Sequence, residues 1–438
     1  MRYQTIKKKK MKLTVCELFA GVGGFRLGLE KSGWETVWAN QYEPSTKVQH
    51  AEKCYIKNFG EKNFSNIDIN EVEYNKIPNH NLLVGGFPCQ DYSVATSAAK
   101  GMQGNKGVLW WNIYDIIKTK NPKYILLENV DRLLSSPSSQ KGRDFGVILA
   151  CLRDSDYSVE WRMINAADYG FPQKRRRTFI FGCKNSTVYA KKMLEGGVSP
   201  TLWIKEQGFF SKDFPVDIKD KQDDFIFASS LSFTEKIKDV SDNFKFRFSN
   251  SGFMTKEQAI YDISVTPKSR RKAKTLRDIL EKKVDDKYFI DRSQIGSKNS
   301  YDGRRIKRSA MPDKVKKSWY YVKGAKHEIR KTSKGYEFNY DEGAIPFPDN
   351  LDSPSRTILT SEGTKNPNRI SHIIKDPYNR GRYRVLTPVE CERLNGFKKD
   401  WTKFDGITDS RRYFFMGNAL VVGLIEKMGR RLKEIIEE

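Results

Sequence analysis

Residues 81–90 read Asn-Leu-Leu-Val-Gly-Gly-Phe-Pro-Cys-Gln, and the rest of the fold can be worked out from them. The apolar start of this stretch predicts a buried strand, which two glycines bring to an end. Pro88 then fixes the backbone immediately before Cys89. Because open α/β sheets bind ligands at the carboxyl ends of their strands, Cys89 is a candidate nucleophile. A buried structural cysteine is the alternative, but the polar residues that follow favour a reactive thiol.

Apolar runs that alternate with helical patterns extend in both directions from this stretch. Strands are predicted at 13–19, 35–40, 124–127, 157–164 and 178–181, and helices at 25–31, from Pro44 onward, at 108–118 and up to about Asp154. The alternation predicts an α/β fold with a mostly parallel, doubly wound sheet.

Several loops beside these strands contain further candidate residues. The first strand runs into Ala20-Gly-Val-Gly-Gly24, a glycine loop that tight strand–helix packing explains as well as ligand binding does. The strand at 124–127 delivers Glu128 to the same sheet edge as Cys89, where a carboxylate serves either chemistry or helix capping. The small, polar loop at 94–107 contains three glycines and is suited to closing over a site.

The composition indicates a polyanionic partner. The 438 residues include 79 Lys or Arg against 54 Asp or Glu, which gives a formal charge of +25. Such an excess favours nucleic acid over membrane as the partner, and no apolar run is long enough to cross a bilayer. Six scattered cysteines, four histidines and the lack of a signal peptide predict reduced thiols in a cytosol and no metal site.

The regular alternation of strands and helices weakens after about residue 185. Apolar runs become short and aromatic, and basic residues cluster at 268–277 and 303–317. We therefore expect a basic tail at 1–11, a core domain built from 12–185 and 351–438, and a separate loop-rich domain at 186–350 that faces a polyanion. The helix that follows Asn418 should return to the amino-terminal half of the sheet.

Six motifs, taken in order, resemble the motif set of DNA cytosine-5 methyltransferases. They are Phe19-Ala-Gly-Val-Gly-Gly24, Gly86-Phe-Pro-Cys-Gln90, Glu128-Asn-Val130, Gln173-x-Arg175-x-Arg177, Arg384-Val-Leu-Thr-Pro388 and Gly417-Asn-Ala419. The resemblance implies a Rossmann-like, S-adenosylmethionine-dependent methyltransferase domain at 12–185 and 351–438, with 186–350 as an inserted, smaller target-recognition domain. It also implies that the chain methylates C5 of a cytosine in duplex DNA.

The same resemblance implies roles for the catalytic residues. In that family the cysteine of the second motif adds to C6 of the cytosine, a role that falls here to Cys89. Glu128 would hydrogen-bond the ring N3 and the exocyclic amine, and Arg177, with Arg175 behind it, would hold the base carbonyl. The target cytosine would leave the duplex stack, with the loop at 94–107 closing over it.

The implied cofactor is S-adenosyl-L-methionine. Phe19 would pack on its adenine, the glycine loop would meet its carboxylate, and Gln41 would lie at its ribose. The full set of implied cofactor residues is Phe19, Ala20, Gly21, Gly23, Gly24, Gln41, Glu43, Asn66, Ile67, Phe87, Pro88, Leu109, Asn418 and Ala419. Many family members carry Glu at the position of Gln41 and Asp at that of Asn66, so a lower affinity for the cofactor is expected.

Two alternatives to a DNA methyltransferase remain open at this point. An RNA cytosine-5 methyltransferase has the same fold, although the long basic insertion favours double-stranded DNA. A catalytically inactive DNA-binding homologue is the second, and the intact Cys89, Glu128 and Arg177 argue against it. We expect a monomer in the bacterial cytosol, associated with the nucleoid through DNA and not with a membrane. A cognate restriction endonuclease would act on the same site without forming a stable complex.

Four stretches look like the restriction–modification subgroup that methylates the cytosine of GATC. They are residues 38–44, 86–94, 136–145 and 241–252. Only the last lies in the predicted recognition domain, so it alone bears on specificity. We expect 5′-GATC-3′ to be the site, and because it is palindromic a monomer can modify each strand in a separate encounter.

Overall fold

A computed structural model describes residues 12–87, 109–138, 140–194, 199–219, 246–255, 260–268, 272–298 and 304–438. Pro88, Cys89, the loop at 94–107 and the tail at 1–11 lie outside the described residues. Within the described ranges, no helix has the length and apolar character needed to span a membrane. The same ranges contain no group of three or more His, Cys, Asp or Glu residues that could hold a metal ion.

The chain divides into two compact units. The first unit contains residues 1–169, 176–271 and 422–438, and the second contains 170–175 and 272–421. The boundary near residue 271 falls inside the segment predicted to be the target-recognition domain. The functional division into catalytic and recognition domains therefore stays a prediction.

A nine-stranded sheet forms the centre of the first unit, in the order β10-β9-β6-β7-β5-β4-β1-β2-β3. Its strands are β1 (Thr14–Leu18), β2 (Glu35–Asn40), β3 (Phe64–Ser65), β4 (Leu82–Gly86), β5 (Tyr124–Val130), β6 (Tyr157–Asn165), β7 (Arg176–Lys184), β9 (Ser251–Met254) and β10 (Ile260–Ile263). The five strands from β3 to β5 pair in parallel, and the remaining pairs are antiparallel. The predicted parallel, wound arrangement thus holds for the amino-terminal half, while β6 and β7 form an antiparallel extension.

Strand β4 lies inside the parallel part, between β5 and β1, as its apolar sequence leads one to expect. Leu83 lies opposite Cys16 of β1 on one side and Ile125 of β5 on the other. All three side chains are fully buried in one hydrophobic cluster. Strands that are covered on both faces need apolar residues at successive positions, and this requirement accounts for the Leu-Leu-Val run.

The helices of the first unit are α1 (Gly24–Glu30), α2 (His50–Phe59), α3 (Leu109–Lys120), α4 (Arg143–Asp154), α5 (Val188–Leu194), α6 (Pro200–Leu202) and α11 (Val422–Glu437). The carboxy-terminal helix α11 packs against α1, in the amino-terminal half of the unit. The two helices approach so closely that a Cβ atom on Gly28 would lie 2.7 Å from Cβ of Ile425. Hydrogen bonds from Trp34 Nε1 to the carbonyl of Gly429 (3.0 Å) and from Ser32 Oγ to that of Glu426 (2.8 Å) fix this contact.

The helix predicted to start at Pro44 is wrong, because α2 begins at His50. The side chain of Gln49 bonds both the N–H (2.7 Å) and the carbonyl (2.9 Å) of Glu43 and so stabilises a turn there. The carboxylate of Glu43 accepts from the backbone N–H of Ala51 at 2.8 Å, inside the first turn of α2. These side chains satisfy the backbone groups that an earlier helix start would have paired.

The second unit contains two small sheets. The first has the strand order β12 (Ile306–Lys307), β13 (Lys326–Lys331) and β14 (Glu337–Glu342), and the second pairs β15 (Ile373–Lys375) with β16 (Tyr383–Val385). Its helices are α7 (Asp313–Lys316), α8 (Trp319–Lys323), α9 (Pro388–Leu394) and α10 (Asp409–Asn418). The sequence Thr387-Pro-Val-Glu390 begins α9 with a capping box and a proline in the first turn. The remaining short strands, β8 (Val216–Ile218) and β11 (Val265–Pro267), pair in the first unit.

Candidate active site

The carboxyl ends of β4 and β5 form the centre of the candidate site. Gly86 lies opposite Glu128 in the parallel pairing, and a Cβ atom on Gly86 would come within 3.0 Å of Oε2 of Glu128. The buried Asn129 donates from Nδ2 to the carbonyl of Phe87 at 2.9 Å. Phe87 directly precedes Pro88 and Cys89 in the sequence, so Asn129 fixes the backbone that leads to the predicted nucleophile.

Glu128 forms an ion pair with Arg177. The distance from Nε of Arg177 to Oε1 of Glu128 is 2.6 Å, and the two side chains are only 16% and 13% exposed. Strand β7 runs antiparallel to β5 and places Arg177 opposite Val130. Val130 is two residues after Glu128, so the two positions lie on the same face of the sheet. The structure thus brings together two of the predicted catalytic residues in a partly dehydrated setting, where charge-assisted hydrogen bonds are strong.

Arg175 and Asn418, which the sequence analysis also assigns to the site, belong to the second unit. Arg175 is fully buried there and donates to the carbonyls of Ile358 (3.3 Å) and Gly417 (2.9 Å). Asn418 is exposed and ends α10, and the N–H of Ala419 donates to the carbonyl of Phe415 at 2.8 Å. The described contacts of Arg175 are therefore with backbone that leads into the Gly417-Asn-Ala419 motif.

The glycine loop between β1 and α1 has an unusual backbone. Phe19, Gly21 and Gly23 have φ angles of 52°, 55° and 82°, a region that favours glycine. A Cβ atom on Gly23 would lie 2.2 Å from the ring of Phe59, whereas nothing lies within 4 Å of the corresponding position on Gly21. Gly23 is thus required by packing, and Gly21 borders open space in which a ligand can approach the backbone.

The polar residues at the end of β2 hold this loop. Oε1 of Gln41 accepts from the N–H of Gly21 at 2.8 Å, and the N–H of Ala20 donates to the carbonyl of Asn40 at 2.9 Å. Nδ2 of Asn66 donates to the carbonyl of Gln41 at 2.5 Å. Gln41 and Asn66, both predicted cofactor residues, are therefore joined to the loop in one hydrogen-bonded group. Glu43, by contrast, uses its carboxylate to cap α2.

Apolar surface accompanies these polar groups. Ile67 is 52% exposed, and its carbonyl accepts from Nδ2 of Asn40 at 2.9 Å. Tyr42 is 38% exposed and immediately follows Gln41, and it was not among the predicted cofactor residues. An aromatic residue next to a predicted ribose-binding residue was the available signal. Leu109 is half-buried and begins α3.

A buried carboxyl group beneath the loop was also missed. Glu17 of β1 is fully buried and accepts from the N–H of Arg26 (3.2 Å) and from the hydroxyl of Tyr55 (3.0 Å). Burial raises the pKa of Glu17 to about 7, although these hydrogen bonds lower it. The guanidinium of Arg26 lies 4.3 Å from the ring centre of Phe59, the residue that packs beneath Gly23. An acidic residue within the apolar run Thr-Val-Cys-Glu-Leu was the signal for this group.

The sequence of the chain is similar to those of a known protein family. Residues 13–434 match the family model described as C-5 cytosine-specific DNA methylase. The chain is 46% identical over 432 residues to the type II methyltransferase M.Sau3AI of Staphylococcus aureus, covering 97% of this chain and 96% of that protein. It is 38% identical over 181 residues to the type II methyltransferase M.HhaI of Haemophilus parahaemolyticus, covering 41% of this chain and 52% of that one.

Solved structures show the same fold at low sequence identity. A DNMT2 structure from Spodoptera frugiperda superposes with a TM-score of 0.55 at 14% identity, covering 97% of this chain and 99% of that one. The Entamoeba histolytica methyltransferase EhMeth also gives a TM-score of 0.55, at 17% identity, with coverage of 98% and 100%. These matches confirm the predicted Rossmann-like α/β fold.

Proposed function

The chain belongs to the C-5 cytosine-specific DNA methylase family, and from that premise we propose how its residues carry out the reaction. The protein is a DNA cytosine-5 methyltransferase of a restriction–modification system, as the sequence motifs predict. We infer that its methyl donor is S-adenosylmethionine, that it acts as a monomer in the cytosol, and that a restriction endonuclease shares its site.

The observation that carries the proposed mechanism is the ion pair between Glu128 and Arg177. Glu128 lies near the end of β5, and the residue after it, Asn129, donates to the carbonyl of Phe87, which precedes Pro88 and Cys89 in the sequence. A carboxyl group and a cation at one sheet edge, together with a cysteine that follows the neighbouring strand in the sequence, match what the chemistry of cytosine requires. C5 of cytosine is a poor nucleophile until a group has added to C6.

In the proposed first step, the thiolate of Cys89 forms a bond to C6 of the flipped cytosine. The electrons of the C5–C6 double bond form a C4–C5 double bond, and those of the C4–N3 double bond move onto N3. N3 takes up a proton from water and donates it in a hydrogen bond to the carboxylate of Glu128. Arg177 stabilises charge that develops near the base carbonyl while it orients the Glu128 carboxyl group. C5 then takes the methyl group, and the donor sulfur keeps the electrons of the broken bond. A base removes the remaining proton from C5, the C5–C6 double bond re-forms as Cys89 leaves as a thiolate, and N3 gives back its proton.

The residues around the glycine loop fit S-adenosylmethionine. Gly21 borders open space at the start of α1, where backbone N–H groups favour a carboxylate. The Oε1 atom of Gln41 retains a second lone pair for a ribose hydroxyl, and the amide oxygen of Asn66 is suited to accept from the adenine amine. When bound, this cofactor supplies an electrophilic methyl group on a sulfonium.

Transfer of a radiolabelled methyl group to duplex DNA and to tRNA tests this proposal. Incorporation into the duplex, with none into tRNA and none by a Cys89→Ser variant, is the expected result. Incorporation into tRNA alone would favour an RNA substrate. Absence of transfer with retained DNA binding would indicate an inactive homologue.

We also propose 5′-GATC-3′ as the recognition site, on the resemblance of the four stretches named above. The described part of the fourth stretch has a structural role, because Phe248 packs on Trp161 and Gly252 lies in β9, beside β6. Residues 241–245 lie outside the described residues. Bisulfite sequencing of DNA from expressing cells should place the modification at GATC cytosines. Methylation concentrated at another tetranucleotide would overturn the site and leave the enzyme class intact.

A further inference from the structure

The hairpin of β13 and β14 in the second unit has a fully exposed end. Its two strands pair over six positions, from Lys326 opposite Glu342 to Lys331 opposite Glu337. Every residue from Lys331 to Asn339 is exposed, including Tyr336 at 72% and Phe338 at 42%. Tyr336 and Phe338 lie two positions apart, and exposed apolar side chains that are grouped in this way, unlike isolated ones, mark binding sites on protein surfaces.

The opposite end of the hairpin is firmly anchored. Glu328 is buried and bonded by the hydroxyl of Tyr321 and by Nε of Arg330 at 2.8 Å. The buried Lys326 pairs with Glu342 at 3.0 Å, and Arg369 pairs with the same carboxylate at 2.9 Å. These ion pairs are shielded from solvent and fix the inner end of the hairpin. The exposed end therefore projects in a defined direction within its own unit.

The turn itself is well formed. The N–H of Thr332 donates to the carbonyl of Tyr336 at 2.9 Å, and the N–H of Gly335 donates to the carbonyl of Thr332 at 3.0 Å. Gly335 has a φ of 88°, a conformation that side chains other than glycine rarely adopt. The exposed end is thus an ordered ribbon that buries neither of its faces.

The charge of this sheet favours an anionic partner. Residues 304–308 and 326–342 carry eight Lys or Arg against four Asp or Glu. The acidic residues are already paired: Glu328 and Glu342 at the base, Asp341 with Arg305 at 2.9 Å, and Glu337 with Lys307 at 3.0 Å. Among the described residues, Lys334 at the tip has no carboxylate partner.

We propose that the exposed end of this hairpin, Lys331–Asn339, enters the major groove of duplex DNA and contacts base edges. A two-stranded ribbon fits the width of that groove. Lys331 and Lys334 supply donors for guanine or phosphate oxygens, Asn339 can pair with an adenine edge, and Tyr336 offers an apolar surface to a thymine methyl. The inference rests on the proposed function, which makes duplex DNA the substrate, and it names the element that reads the sequence.

Shortening the turn tests this inference. Thr332 and Tyr336 form the hydrogen-bonded pair at the turn, so Arg330 and Phe338 are the next such pair, and replacing Lys331–Glu337 with Asn-Gly closes the ladder there through a two-residue turn. The expected result is a drop of about tenfold or more in kcat/KM on the cognate duplex, with a similar drop in discrimination against single-base variants of the site. Binding of S-adenosylhomocysteine should be unchanged, which shows that the variant is folded.

A second variant and a matched control complete the test. Lys334→Ala/Tyr336→Ser should give the same loss of discrimination without altering the turn. Lys399→Ala/Tyr378→Ser removes an exposed lysine and a 45% exposed tyrosine elsewhere in the same unit, and it should behave as wild type.

The outcomes separate this inference from the proposed function. If the wild-type protein transfers methyl groups and the hairpin variants keep its discrimination and its DNA affinity, the hairpin assignment is overturned and the proposed function stands. A wild-type protein that transfers no methyl group would overturn the proposed function. In that case fluorescence anisotropy of DNA binding still decides the role of the hairpin, because a loss of affinity in both variants supports it and unchanged affinity contradicts it.

Discussion

Gln41 is one of the two positions, with Asn66, at which the sequence predicts a departure from the family pattern, and the structure indicates a consequence for Gln41. One lone pair of its amide oxygen already accepts from Gly21, so fewer acceptors remain for the ribose than a carboxylate would offer. Gln41→Glu should therefore tighten S-adenosylhomocysteine binding about threefold to tenfold, because bonds to a charged acceptor are stronger. Isothermal titration calorimetry measures this, with Gln207→Glu, an exposed position in the same unit, as the control. Equal or weaker binding by Gln41→Glu would contradict the assignment.

The carboxyl group of Glu17 should make stability depend on pH. Its folded-state pKa of about 7 lies above its ordinary value of 4.5, so the folded state holds the proton more tightly than the unfolded state. Its contribution is fully present below about pH 4.5 and is lost as the pH rises through about 7, by up to about 3 kcal/mol. Glu17→Gln removes this loss and should gain stability relative to wild type between pH 5 and pH 8. Urea denaturation at both values tests this, and parallel pH dependences would contradict it.

Part of the candidate site could be predicted from the identity of its residues, and part of it could not. The Glu-Asn-Val motif and the Gln-x-Arg-x-Arg motif pointed to Glu128 and Arg177, which the structure places 2.6 Å apart. The contacts of Arg175 with the carbonyls of Ile358 and Gly417 were not predictable, since they join positions more than 180 residues apart. Cys89 lies outside the described residues, so its role stays a prediction.

At the scale of elements, the contact between α1 and α11 is sensitive to the addition of a single carbon atom. A Cβ atom on Gly28 would meet Cβ of Ile425 at 2.7 Å and the carbonyl of Val422 at 2.9 Å, neither of which can rotate away. On Gly429, also at this interface, the nearest atom is Cδ2 of Leu29 at 2.9 Å, the end of a flexible side chain. Gly28→Ala should therefore destabilise the protein by about 1–3 kcal/mol, and more than Gly429→Ala does. Thermal denaturation compares the two variants, and equal melting temperatures would contradict this packing.

The positions of strands and helices could be predicted where the sequence shows a clear run or periodic pattern of apolar residues. Strand β2 was expected at 35–40 and lies at Glu35–Asn40, and the other core strands differ from prediction by a few residues at their ends. The helix predicted to start at Pro44 is wrong because hydrogen bonds from the side chains of Gln49 and Glu43 hold a turn there. Helix propensities do not include such bonds. The pairing of β9 with β6 could not be predicted either, because the paired residues are about 90 positions apart in the sequence.

For the whole molecule, the formal charge of +25 predicts that DNA binding depends steeply on salt. Each phosphate that a Lys or Arg neutralises releases counterions, so affinity should fall by at least about 10²-fold between roughly 50 and 200 mM salt. Fluorescence anisotropy with a labelled duplex measures the slope. A slope near zero would mean that the excess positive charge does not face the phosphates.

The central claim is that methyl transfer proceeds through a bond between Cys89 and C6 of a cytosine in duplex DNA. A duplex that carries 5-fluorocytosine at the GATC cytosine tests it most directly, because fluorine cannot leave C5 as a proton and the bond to C6 then persists. With S-adenosylmethionine present, we predict a protein–DNA adduct that survives denaturant, maps to the peptide containing Cys89 and is absent in Cys89→Ser. Efficient methylation of the normal duplex without any such adduct, or an adduct at another residue, would contradict the account.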